Sequence, residues 1–245
     1  MPQYFGKLPT TQQPWSRLGV VQSIQRHDRG VHFECGDPCL AITVLAPNLI
    51  RVRMAPTGEF MPRRSWAVTL DDAEWPVVPF EVRETESAVE IETEQMRVCI
   101  HRHQPCGIVC FDKAGRPFAQ DADMGMGWRM GATAAWKQIE TDEHFYGFGE
   151  RTGLLDKLSE RKTNWTVDAL DYGSLTDEMY QAIHFLSPCV QTSATVSFAT
   201  PPFGASSISV RNSQESGGWK RVAATWTITS STVPTLNRSF APTPS

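Results

Sequence analysis

Apolar and polar residues alternate along the first two-thirds of the chain in short runs that close on glycine or proline. In LIRVRM, Ile50, Val52 and Met54 alternate with Arg51 and Arg53, the period of a strand with one buried face. VHFECG (31–36), LAITVLAP (40–47) and LIRVRMAP (49–56) are rich in β-branched residues, which predicts three strands. FEVRETESAVEIETEQMRVCIHR (80–102) repeats the pattern, with Val89 and Ile91 on one face, then Met96, Val98 and Ile100. GIVCFDKAGRPF (107–118) predicts a hairpin turning at Asp112-Lys113-Ala114-Gly115. No convincing helix appears. Strands at such short intervals predict an all-β fold, an antiparallel β-sandwich over residues 20–185, after an N-terminal extension at 1–19.

The character changes after Phe185. Of 27 acidic residues, only Glu215 lies in 186–245, and the segment is crowded with Ser, Thr, Pro and Ala (SSISV, TSSTVPT, APTPS). ATVSFAT (194–200) and ATWTIT (224–229) are able to pair as strands, but no sustained period emerges. Such composition offers little apolar area to offset chain entropy, so a poorly ordered Ser/Thr/Pro-rich tail is expected at 186–245.

Composition removes several function classes. A net charge of -4 gives no footprint for nucleic acid or an anionic membrane, and no apolar run reaches the length of a spanning helix. The N-terminus lacks the charged-then-apolar order of a secretion signal, so a cytoplasmic location is expected. Cys35/Cys39 and Cys106/Cys110, with His101 and His103 nearby, raise the question of zinc. The spacing is unusual for a knuckle, and Cys99 and Cys110 lie inside strand runs, so reduced structural cysteines, no metal and no cofactor are expected. There is no internal repeat, and Gly147 and Gly149 in YGFGE are a weak signal for a phosphate loop.

Residues 144–185 concentrate another chemistry: Tyr146, Phe148, Trp165 and Tyr172 among Asp168, Asp171 and Asp177. Sugars stack their apolar faces on aromatic rings while carboxylates accept hydrogen bonds from hydroxyls, work suited to loops on a rigid scaffold. The same residues serve equally as core aromatics and turn formers. Glu140, Asp142 and Glu143 read as a solvated turn rather than a catalytic pair.

The order of three motifs narrows the choice. FYGFGERTGLLDK, NWTVDA and TDEMYQAIHF together resemble the segment that closes the N-terminal β-sandwich of glycoside hydrolase family 31, the α-glucosidase family. Asp177-Glu178-Met179-Tyr180 stands for a D-P-L-Y element with Glu for Pro, His184 stands where Pro is usual, and Asn164-Trp165 reverses the commoner order. The resemblance implies a galactose-mutarotase-like sandwich packed beside a (β/α)8 barrel, which carries a nucleophilic Asp and an acid/base Asp for retaining hydrolysis of α-linked glucosides. Retention needs the two carboxyls about 5–5.5 Å apart. It also implies that the sandwich lends a loop to the pocket, with Asp177 the first candidate to contact a substrate hydroxyl, Asp171 and Tyr172 next, and Asp168 structural.

No catalytic residue is assigned. The family's W-x-D-M-N-E-P-like motif is missing, and a barrel needs about 250 residues where only 186–245 follow the sandwich. The chain is therefore expected to be inert alone, with its tail arising from a shifted reading frame. The alternatives are a freestanding carbohydrate-binding sandwich and a mutarotase-like epimerase. The latter needs a His acid and a Glu base across the sugar, for which His27, His32, His101, His103, His144 and His184 are available.

Overall fold

The computed structural model describes residues 14–60, 70–71, 73–103, 106–129, 132–158, 160–190, 193–194, 197–198, 206–210 and 224–229. Most of the expected N-terminal extension and much of the Ser/Thr-rich tail lie outside them. Every regular element among them is a strand, and no helix is long and apolar enough to cross a membrane.

The first strands are β1 (Ser16–Arg17), β2 (Ser23–His27), β3 (Gly30–Glu34), β4 (Cys39–Ala46) and β5 (Leu49–Ala55). β6 (Glu81–Glu84), β7 (Ala88–Glu92), β8 (Met96–His101), β9 (Ile108–Asp112), β10 (Pro117–Arg129) and β11 (Ala132–Lys137) follow. The chain continues through β12 (His144–Gly149), β13 (Arg161–Asn164), β14 (Ala182–Val190), β15 (Ser193–Ala194), β16 (Ser197–Phe198), β17 (Ser206–Val210) and β18 (Ala224–Thr229).

Strands β2 to β5 form a four-stranded antiparallel meander. A ten-stranded sheet runs β13-β17-β18-β11-β10-β9-β8-β7-β6, with β1 beside the far half of β10. The two sheets stack, and the period-2 pattern is the reason. Val89, Ile91, Val98 and Ile100 from one sheet and Val31, Phe33, Leu40 and Ile42 from the other are all sealed in one core at 0 % exposure. Ile50, Val52 and Met54 pack against that core, as their alternation predicts. Arg53 on the opposite face lies over Phe60, its guanidinium 5.1 Å from the ring centre. The 107–118 hairpin forms at the expected turn, where Asp112 accepts the Gly115 N–H at 3.0 Å.

A third sheet, β12-β14-β15 with β16 also against β14, covers a second small core of Ile139, Phe145, Phe148 and Leu186. β14 runs continuously through Phe185 and Leu186, the point where composition changes. Every described residue of 186–245 is in a strand, and ATWTIT is β18, inserted between β11 and β17.

The long β10 changes partners midway. Pro117–Gln120 pair with β9, Gly127 and Trp128 pair with β1, and the register to β11 shifts between Asp121 and Met126. At this crossing the Asp121 side chain is 2 % exposed. Its carboxylate accepts the Ile108 N–H at 3.0 Å and the Lys137 ammonium. Burial works against the Lys137 charge, but the Asp121 carboxylate outweighs it and holds the amine above its ordinary range. Removing Lys137 strands a buried carboxylate, a loss of about 3–5 kcal/mol when both partners are buried. With 32 % of the Lys137 side chain exposed, solvent screens part of that charge and the loss falls to about 2–3 kcal/mol. Lys137→Met is therefore expected to lower the urea midpoint markedly, and Asp121→Asn combined with it to recover part of the loss. Equal loss in the single and double variants would show that the pair is not coupled.

Candidate functional site

The 144–185 segment is built on a strained bulge. β12 and β14 pair from His144 opposite Cys189 to Gly147 opposite Leu186, and the register then shifts before Gly149 meets Ala182. Three consecutive residues there have positive φ: Gly147 at 136°, Phe148 at 72° and Gly149 at 78°. A Cβ on Gly147 would stand 2.3 Å from the Phe185 carbonyl oxygen, and one on Gly149 would stand 2.7 Å from that of Gln181. Both glycines serve this backbone approach rather than a phosphate. Phe148 holds a conformation that costs about 1–3 kcal/mol in a non-glycine residue, and its ring is 1 % exposed in the small core.

Beyond the bulge a polar knot fixes the loops. The Arg151 guanidinium donates to the Asp177 carbonyl at 3.0 Å and to Asn164 Oδ1 at 2.7 Å. Both Asp177 carboxylate oxygens accept the Thr163 N–H, at 2.8 and 3.0 Å. The Lys157 ammonium donates to the Thr152 carbonyl at 3.2 Å and to that of Leu154. Asp156 takes the N–H groups of Phe145 and Leu158 at 3.0 Å and His144 Nδ1 at 2.7 Å. Burial raises the Asp156 carboxyl, but these bonds prevail and hold it below the usual range. Met179, at 2 % exposure, clamps the loop from inside, and Val167 donates to its carbonyl at 3.0 Å.

The surface outside this knot is apolar. Eight of the eleven exposed large hydrophobic residues among those described fall between 154 and 183: Leu154, Leu155, Trp165, Leu170, Tyr172, Leu175, Tyr180 and Ile183. Leu170 and Leu175 are 97 % and 95 % exposed. Tyr172 is 56 % exposed and meets Tyr180 edge-on at 6.3 Å between ring centres.

The sequence candidates therefore separate. Asp171 and Tyr172 face solvent on the apolar loop. Asp177 lies beneath it with its carboxylate on the Thr163 amide, so its first role is to hold the loop, while two oxygens retain capacity for a further donor. Asp168, expected to be structural, is exposed. Tyr146 is half-buried and Phe148 is core. The Glu140–Glu143 turn is not fully solvated, because Glu143 is buried at 8 % exposure and caps the turn by accepting the Glu140 N–H at 2.9 Å. Burial pushes the Glu143 carboxyl up. Among the described residues no group of His, Cys, Asp or Glu is arranged to hold a metal. His27 and His32 touch each other on β2 and β3, His144 is held by Asp156, and the His184 side chain lies outside the described residues. A cleft lined by Arg26, His27, Val78, Phe80 and Val82 includes no residue of 144–185. Arg151 and Met179 escaped sequence reasoning, since neither a lone Arg after a glycine turn nor a lone Met signals a buried clamp.

Comparison with known proteins agrees with this geometry. The profile of the glycosyl hydrolase 31 N-terminal galactose mutarotase-like domain matches residues 39–195. Alpha-glucosidase 2 of Bacillus thermoamyloliquefaciens is 28% identical over 167 residues, which are 67% of this chain and 21% of that protein. The GH31 dextranase of Flavobacterium johnsoniae, solved with glucose, superposes with a TM-score of 0.73 at 22% identity, covering 86% of this chain and 25% of its own. The cycloalternan-forming enzyme of Listeria monocytogenes, solved with a pentasaccharide substrate, gives 0.69 at 15% identity, covering 88% and 20%. The chain thus spans a fifth to a quarter of the length of these relatives. With a stacked antiparallel sandwich, a bulge at YGFGE and a profile match over more than half its length, the chain belongs to the glycosyl hydrolase 31 family as an N-terminal galactose mutarotase-like domain.

Proposed function

We propose that this chain is the sugar-facing wall of an α-glucosidase-type retaining hydrolase, and that the 245-residue chain alone cleaves no glycosidic bond. The observation that carries the reading is the apolar face at 154–183, where leucines almost fully exposed stand on a loop whose backbone is tightly pinned. Rigid exposed apolar surface of this kind marks a contact area. Its occupant in this reading is a (β/α)8 barrel, which supplies the two catalytic carboxyls. Asp171 and Tyr172 at the rim, with Asp177 behind them, meet hydroxyls of an α-linked glucoside or oligosaccharide. No cofactor enters the reading, and the location it assumes is cytoplasmic.

We further infer that the segment from about Leu186 onward is translated in a shifted frame. The genetic code allows this to be examined from the protein alone. If each codon is read from its third base, the single Trp codon followed by Thr must read Asp, and followed by Lys must read Glu. Trp226-Thr227 and Trp219-Lys220 therefore restore acids to a segment that otherwise holds only Glu215. Every Phe and Trp of the segment, and most Ser codons, place thymine at the middle position in that frame, which encodes only Phe, Leu, Ile, Met or Val. Phe198, Phe203, Trp219, Trp226 and Phe240 all become apolar positions, and the Thr codons on either side of Trp226 give polar residues.

Two measurements test these readings. The purified chain is expected to release no aglycone from an aryl α-glucoside while binding maltose saturably. Tyr172→Ala is expected to weaken binding about tenfold, equivalent to roughly 1–1.5 kcal/mol for one aromatic contact. Asp177→Ala is expected to abolish binding and, by leaving the Thr163 N–H without its acceptor, to cost about 1–2 kcal/mol of stability. Bond cleavage by the chain alone would overturn the first reading, and maltose binding indifferent to both variants would remove these residues from the site. For the second, the coding DNA is expected to continue in the shifted frame with acidic turns and alternating apolar codons. A stop codon within the 186–245 region of that frame would refute it.

A further inference from the structure

The loop that carries Asp171 and Tyr172 leaves the end of β13 and returns through Asp177 before β14. Its neck is closed by one side chain. Arg151, in the turn after β12, donates through one terminal nitrogen to Asn164 Oδ1 on the outgoing stem, at 2.7 Å. Through the other it donates to the Asp177 carbonyl on the returning stem, at 3.0 Å. Thr152 beside it donates to the Thr176 carbonyl, so two consecutive residues reach the same returning stem. The stems also meet each other, because the Asp177 carboxylate takes the Thr163 N–H. Asn164 is 2 % exposed, so bulk water cannot take over its amide oxygen once the guanidinium is gone.

The turn that holds Arg151 is itself fixed. Gly153 stands at a φ of 88°, and Glu160 accepts the Leu154 N–H at 3.1 Å while pairing with Lys162 on β13 at 2.9 Å. Above the neck, the Gly173 N–H donates to Thr176 Oγ1 at 3.0 Å and the Tyr180 hydroxyl donates to the Ala169 carbonyl. The tip of the loop, from Leu170 to Leu175, is exposed throughout. Its placement is therefore set at the neck rather than by packing of the tip.

We propose that Arg151 is the positioning residue of this loop: its fork spaces the two stems and so places Asp171 and Tyr172 at the rim with Asp177 behind them. This rests on the sugar-facing reading above and adds to it a residue that touches no sugar. Binding groups misplaced by even a small shift lose much of their hold on a ligand. A lysine does not replace the fork. Its ammonium is a point charge on a flexible stem, whereas the planar guanidinium meets two acceptors in one fixed geometry. Burial already draws the Arg151 guanidinium below its ordinary range, against the opposing effect of the Asp177 and Glu178 carboxylates. An ammonium in the same surroundings gives up its charge more readily.

The test is a calorimetric maltose titration of the full chain, with the thermal midpoint and the hydrogen exchange of the 163–177 amides measured on the same samples. Arg151→Lys is expected to weaken maltose binding about tenfold, the scale of one lost charge-assisted hydrogen bond. It is also expected to speed exchange at Val167, Gly173 and Thr176. Asn164→Ala, which removes one end of the fork, is expected to act in the same direction. Lys137→Met, destabilised at the β10–β11 crossing, is expected to bind maltose as tightly as the unaltered chain, which separates positioning from a general loss of stability. Unchanged affinity in Arg151→Lys, where the unaltered chain does bind maltose, would overturn this proposal alone. So would equal weakening in Lys137→Met. No maltose binding by the unaltered chain would overturn the sugar-facing reading and this proposal with it.

Discussion

The sandwich depends on one buried carboxylate. Asp121 sits where β10 leaves β9 and pairs onward with β11, and it joins the Ile108 amide on one side to the Lys137 ammonium on the other. On the β9 side lies the main core between the sheets, and on the β11 side lie β18 and the chain leading to Ile139 and the second core. A β-sheet cannot switch partners mid-strand without leaving backbone groups unpaired. Asp121 meets the Ile108 amide, and Lys137 balances the charge that this requires. The two cores are thus held in register by a single side chain that is polar, buried and satisfied on both oxygens.

Strain and exposure divide the 144–185 segment in a similar way. The left-handed Phe148 is held because its ring fills the small core, and the two glycines beside it let β12 approach β14 closely. That fixed turn aims Arg151 under the loop, where it donates to the Asp177 carbonyl and to Asn164 Oδ1. Leu170 and Leu175 face outward, 97 % and 95 % exposed, on the loop above these bonds. A flexible loop would bury such leucines against its own scaffold, whereas this one presents them.

How much was legible from sequence follows from which forces leave a periodic trace. Strands β3 to β9 were readable because a two-sided sheet sorts Val89, Ile91, Val98 and Ile100 inward at every second position. β10 was not, because PFAQDADMGMGWR changes partners midway and its bulge breaks the period. The 144–185 segment was recognisable by motif order, but the division of labour within it was not. Asp177 and Asp168 look alike in sequence, and only the fold shows that one holds an amide while the other is exposed. The glycines of YGFGE were visible as glycines, and their purpose depended on a carbonyl that arrives from Phe185, far along the chain.

The presence of β17 and β18 inside the large sheet bears on the shifted-frame reading without opposing it. Sheet pairing is made by backbone N–H and C=O groups, which every non-proline residue carries whatever frame encoded it. SSISV and ATWTIT are rich in Ser, Thr, Val and Ile and contain no proline, so they satisfy the backbone and β-branched requirements of a strand. The positions between β11 and β13 need two strands to avoid a bare edge on each, and composition alone qualifies these segments to fill them. What composition cannot supply is the sustained apolar period that selected strands such as β7 and β8 display, and that period is missing from residues 186–245. Strand pairing and the proposed shifted coding are compatible, because the first asks only for a suitable backbone while the second would alter only the order of the side chains.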